Sequence, residues 1–153
     1  MIKILFVCHG NICRSPMCQS IFTHMVKEQN LTNHFKIDSA ATSREEIGNP
    51  PHYGTAGKLR QVGIPLIPHR AEQMTKADYD AYDYLIGMDS MNIRNIMRII
   101  GKDTQKKVYR LLDFSDSPRD IADPWYTGGF DVTYSDVVEG CEAFLEYLKD
   151  KKK

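Results

Sequence analysis

The chain lacks an excess of charge of either sign: in 153 residues, 20 Lys and Arg balance 20 Asp and Glu. Nucleic acid and anionic membranes select a basic surface, so neither is an expected partner. It lacks an apolar run of the roughly 18 residues a membrane helix needs, so no membrane span is expected. The opening MIKILFVCHG has too short an apolar stretch for a secretory signal, and no small-residue cleavage site follows it. Cysteine is scarce. Cys8, Cys13, Cys18 and Cys141 are the only four, and without an export signal they are expected as reduced thiols in a cytoplasm. Repeats, low-complexity segments and linkers are missing too, which leaves one domain over residues 1–153. A chain of this size buries roughly 68–70% of its unfolded surface, so its core needs neither disulfide nor metal. The lysines Lys151–Lys153 read as a solvated tail.

What is present alternates. Ile2 to Val7 is apolar except for Lys3, the pattern of a central parallel strand covered on both faces. Ser15-Pro16 reads as an N-cap followed by proline at the first helical position, opening a helix to about Gln29. Strands are expected at Phe35–Ala40, Tyr82–Met88 and Lys107–Leu112. Helices are expected at Gly54–Gln61, stopped by Gly63, at Met91–Ile100 behind an Asp89-Ser90 cap, and at Val132–Lys149. Ser115 to Gly129 reads as a long loop. This order predicts an α/β fold of three layers, with a four-stranded parallel central sheet and helices on both faces. Ligands of such sheets bind at the carboxyl ends of the strands.

The stretch VCHGNICRSP, Val7 to Pro16, lies at that end of the first strand. Gly10 and Asn11 tolerate left-handed conformations, so successive N–H groups from His9, Gly10, Asn11, Ile12 and Cys13 can turn inward as an anion nest. The following helix adds its N-terminal dipole, and Arg14 adds a planar bidentate donor for phosphate oxygens. Helix N-termini and cations favour thiolates, so Cys8 is expected as a nucleophile beneath the bound phosphorus, with Ser15 donating a hydrogen bond to its sulfur. The departing oxygen needs a proton. Asp123-Pro124-Trp125, in the long loop, supplies a carboxyl for that task and an aromatic wall for the leaving group.

The spacing Cys-x5-Arg-Ser with a late Asp-Pro resembles the low-molecular-weight protein tyrosine phosphatases over essentially the whole chain. Cys8 to Pro16 is similar to that family's phosphate loop and Asp123-Pro124 to its general-acid loop. Ser39-Ala40, Gly48-Asn49-Pro50-Pro51 and Met88-Asp89 match further stretches. The resemblance implies hydrolysis of phosphotyrosine and small aryl phosphates through a phosphocysteine, without metal or other cofactor. Its partners would be phosphotyrosine-containing proteins, with inorganic phosphate as product or inhibitor. It also implies that Asn11, Ser15, Ser39 and His69 hold the loop by hydrogen bonds. Where many relatives carry an aromatic on the rim, this chain has Glu45 and Glu46, so Trp125 is left to carry the aromatic contact.

Other chemistries fit less well. Arsenate reductases of this fold need mid-chain cysteines, and none stands between Cys18 and Cys141. Arginine phosphatases carry threonine where Ile12 stands, and an apolar Ile12 suits a phenyl ring better than a guanidinium. A bare phosphate-binding module would require neither Cys8 nor Asp123. The spacings of Cys8, Cys13, Cys18 and His24 match no common zinc pattern. His24, His34 and His52 are expected at the surface, Cys18 and Cys141 in the core, and Met91 and Met97 as packing. Cys8 and Cys13 flank one tight loop, which brings their Cα atoms within the roughly 4.4–6.8 Å that a disulfide spans. Oxidised Cys8 is therefore expected to be trapped by Cys13.

Overall fold

The computed structural model of the chain describes residues 1–151, with side chains to Asp150. Strand β1 (Ile2–Cys8) is the hub. It pairs in parallel with β2 (Phe35–Ala41) on one side and β3 (Tyr84–Gly87) on the other, and β4 (Val108–Arg110) adds to β3. The order is β2-β1-β3-β4, all parallel, the predicted four-stranded sheet.

The apolar run of β1 is explained by cover on both faces. Ile4, Phe6 and Cys8 point into a core shared with helices α1 (Arg14–Glu28) and α6 (Phe130–Lys151) and with Leu59 of α2 (Tyr53–Val62). There Phe6, Phe22 and Phe144 lie with ring centroids 5.6 to 6.4 Å apart, within the range of favourable aromatic pairs. Leu5 and Val7 point the opposite way, into a core closed by α3 (Ala77–Ala81) and α4 (Ser90–Ile100). The chain leaves β1 for β2 on one side and later reaches β3 on the other. That makes the carboxyl end of β1 the topological switch point where such sheets bind ligands.

Several boundaries differ from expectation for local reasons. Ser15 does not cap α1. The cap position is Cys13, without a side-chain bond, and Ser15 lies inside the first turn with its hydroxyl turned to Cys8 and Asn11. The last strand ends at Arg110, because the Asp113 carboxylate takes the Arg110 backbone N–H and bends Leu111–Phe114 into a 3-10 turn. The short α3 is too brief to show a helical period, and the four-residue α5 (Pro124–Thr127) interrupts the expected long loop. Asp89 caps α4 as expected, in a reciprocal capping box with Asn92. Met91 is half exposed rather than packed. His52 is not a free surface side chain. Its Nδ1 accepts the Gly54 N–H at 3.0 Å, and its ring stacks on Tyr53 and Phe130. Cys18 and Cys141 are buried in the core as expected. Lys151 ends α6, and the rest of the expected Lys151–Lys153 solvated tail lies outside the described residues.

Candidate active site

The loop after β1 is fastened from below by Asn11. Its backbone is left-handed, with φ of 60°, and its side chain is fully buried. Oδ1 accepts the Glu72 backbone N–H at 3.2 Å and faces His69 Nε2 at 2.7 Å. The backbone N–H can only donate, so it fixes the orientation of the amide and makes His69 Nε2 a donor. Nδ2 then donates to Ser15 Oγ at 2.8 Å and to Ser39 Oγ at 3.0 Å, and the Ser39 hydroxyl donates to Gln19 Oε1 at 2.6 Å. The network expected of Asn11, Ser15, Ser39 and His69 is therefore assembled, with Gln19 and Glu72 as members the sequence did not reveal. Ser15 lies 3.0 Å from Cys8 Sγ, and the Asn11 N–H reaches the same sulfur at 3.3 Å.

The loop's outward side is rich in unused donors. Among the described residues, no protein acceptor takes the N–H groups of Gly10, Ile12 or Cys13. Arg14 is 2% exposed, and its Nε meets no partner. Buried donors left unsatisfied cost about 1–3 kcal/mol each, and inward-turned N–H groups of this kind suit an anion.

The rest of the Arg14 guanidinium is held firmly. Nη1 donates to Asp89 at 2.6 Å and to the Ile121 carbonyl at 2.8 Å, and Nη2 lies 3.5 Å from Asp123. Burial works to lower its pKa, but the negative charge of a Cys8 thiolate and the Asp89 bond outweigh it and hold the cation above its ordinary range. In the sequence Asp89 is legible only as the cap of α4. It performs both, with one oxygen on the Asn92 N–H and the other on Arg14.

Asp123 arrives from the opposite wall. It caps α5 by accepting the Trp125 N–H at 3.0 Å, with Pro124 at the first helical position. The segment before it is pinned residue by residue. Arg119 grips Asp136 and Glu139 on α6, Asp120 bonds Ser90 and Arg110, and the Ile121 N–H reaches the Met88 carbonyl.

Together these parts enclose a pocket of about 80 Å³ lined by Cys8, the loop from His9 to Cys13, Asp123 and Trp125. Ile12 gives it an apolar side, and Trp125 meets His52 edge-on at 5.5 Å. Gly54 allows the Phe130 ring beneath His52, since a Cβ there would lie 2.3 Å from that ring. Glu45, Glu46 and Tyr126 also line the mouth. His9 contributes more than its backbone, because its Nε2 pairs with Glu45 at 2.9 Å. Cys13 lines the pocket too, and burial, then the neighbouring Cys8, push its thiol up to about 12. Cys18 points away, with its sulfur 3.4 Å from that of Met88 in the core.

A parallel α/β sheet whose first strand ends in a Cys-x5-Arg anion loop is the arrangement of a cysteine-dependent phosphatase. The model of the family described as low molecular weight phosphotyrosine protein phosphatase matches residues 3–153. The low molecular weight protein-tyrosine-phosphatase YfkJ of Bacillus subtilis is 40% identical, covering 99% of each chain. The human low molecular weight phosphotyrosine protein phosphatase is 41% identical, covering 94% of each. The crystal structure of YfkJ superposes with a TM-score of 0.96 at 41% identity, over 100% of this chain and 98% of that one. The chain belongs to the low molecular weight phosphotyrosine protein phosphatase family.

Proposed function

We propose that the protein hydrolyses phosphotyrosine in protein substrates, and small aryl phosphates, through a phosphocysteine on Cys8. The observation that carries this is the cup of unpartnered N–H groups and the free Arg14 Nε above a sulfur that Ser15 and Asn11 both address. The dianionic phosphoryl group sits in the cup, and the Cys8 thiolate attacks phosphorus in line with the departing oxygen. The S–P bond forms as the P–O bond breaks. Asp123 gives its proton to the tyrosyl oxygen, so phenol leaves and not phenoxide. Asp123, now a carboxylate, takes a proton from water as that water attacks phosphorus. Inorganic phosphate departs and Cys8 leaves as a thiolate, steadied by Ser15. Arg14 and the loop N–H groups follow the equatorial oxygens through both steps.

The pocket supports an aromatic ester. Ile12 and Trp125 present apolar walls, and an apolar wall holds a phenyl ring better than it holds a charged guanidinium. The four cysteines are free thiols, the state a reducing cytoplasm maintains. The test is turnover of p-nitrophenyl phosphate, phosphotyrosine and phosphoarginine with chelator present. Wild type turns over the two aryl esters, and Cys8→Ser abolishes it. Full activity in Cys8→Ser, or preference for phosphoarginine, contradicts the proposal.

A further inference from the structure

A second depression adjoins the pocket. It measures about 490 Å³ and shares His9, Asp123 and Tyr126 with the pocket mouth, so chain leaving the pocket over Asp123 enters it directly. Its far wall is the stripe of α4 formed by exposed Met91, half-buried Asn95 and exposed Arg98. Their spacing of four and three residues puts them on one helix face.

The charges in this groove are unevenly committed. The positive charge of Arg14 is met by Asp89 at 2.6 Å. Arg98, by contrast, meets only the neutral amide of Asn95, at 3.3 Å, among the described residues. On the opposite rim the carboxylates that line the pocket are Glu45 and Glu46. Glu45 holds His9, and Glu46 bonds only the amide of Asn49. The two sides of the pocket thus present opposite signs, and the half-exposed Met91 lines the groove on the Arg98 side as an apolar surface.

We propose that this groove is a peptide subsite in which Arg98 reads a carboxylate side chain near the phosphotyrosine. This rests on the phosphotyrosine reading above. Met91 to Arg98 spans about 10 Å of helix, the length of about three extended peptide residues. The acidic residue therefore stands two or three positions from the phosphotyrosine, on the flank that crosses Asp123. Asp89 is occupied by Arg14, so its charge does not repel that residue.

The experiment compares phosphotyrosine peptides bearing Glu or Lys at the second and third positions of each flank. The readout is the Glu-to-Lys ratio of kcat/KM at low ionic strength. Wild type favours Glu on one flank by about two- to fivefold, the scale of one exposed ion pair. Arg98→Glu inverts that ratio. Arg94→Glu makes the same charge change one turn away, outside the groove, and keeps the ratio. Added salt brings it toward one. A wild-type ratio of one on both flanks, or equal shifts in the Arg94 and Arg98 variants, overturns the proposal. Turnover of p-nitrophenyl phosphate by wild type separates the two claims. Turnover without peptide discrimination refutes the subsite alone, and no turnover refutes the phosphatase reading and the subsite with it.

Discussion

Ser15 Oγ lies 3.0 Å from Cys8 Sγ, and Asn11 decides the direction of that hydrogen bond. Glu72 orients the Asn11 amide so that Nδ2 faces Ser15, and Ser15 must accept there. Its one proton is left for the sulfur. A hydrogen bond to a charged group is worth about 1.5–3 kcal/mol, so Ser15→Ala should lower kcat about 10- to 100-fold. Pre-steady-state kinetics locate the loss, since both the attack and the departure of the sulfur use this donor. An unchanged kcat contradicts the assignment.

Much of this was legible beforehand because it is local. Cys8, Arg14 and the glycine-containing loop between them sit in one stretch, behind a strand whose unbroken apolar run announces burial on both faces. Asp123 was legible as a carboxylate before a rigid proline. What stayed hidden depends on distance in space. Gln19, Glu72 and the second role of Asp89 are ordinary polar residues in sequence, and only the folded sheet brings them to Asn11 and Arg14. Ser15 reads as a cap in sequence because serine before proline at a helix start has that meaning in isolation. Here a sulfur and an amide claimed the hydroxyl first. His52 differs from its expected surface position for a similar reason, since nothing near it in sequence announces Phe130.

Asp89 joins two functions that substitution can separate. Asn is as good an N-cap as Asp, so Asp89→Asn keeps α4 but removes the charge opposite Arg14. It should lower kcat/KM for p-nitrophenyl phosphate about 10- to 100-fold, as expected for one charge-assisted bond. Asp89→Ala should lose similar activity and about 1 kcal/mol more stability, measured by urea denaturation. Equal stability of the two variants would show that the cap contributes little.

Oxidation should stop at a disulfide. Peroxide oxidises the Cys8 thiolate to a sulfenic acid, releasing hydroxide. Attack by Cys13 then forms the S–S bond and releases water. Mass spectrometry after mild peroxide treatment should find a linked Cys8–Cys13 peptide. Because burial holds the Cys13 thiol up to about 12, the link should form faster as pH rises. Sulfinic Cys8 with no linked peptide is the contrary result.

The pairing of Arg119 with Glu139 and Asp136 makes part of the stability depend on acid. The Arg119 bond holds the Glu139 carboxyl below its usual range, and Asp120 is likewise lowered by Arg110 and Ser90, against a desolvation that works to raise it. A carboxyl with a depressed folded pKa stabilises above its unfolded value, roughly 4, and loses that contribution as pH falls through the folded one. The melting temperature should therefore drop on going from about pH 5 to pH 3. Arg119→Gln should flatten that drop, and an unaltered slope would remove these pairs from the account.

The central claim is a covalent bond between Cys8 and phosphorus, and acid quenching during steady turnover of p-nitrophenyl phosphate tests it most directly. Peptide mapping should find phosphate on the fragment holding Cys8, at its sulfur, in wild type. Asp123→Ala should turn over about 10²–10⁴-fold more slowly and still carry the group there. Rapid turnover with no phosphate on Cys8, or with phosphate on Cys13 instead, would contradict the mechanism.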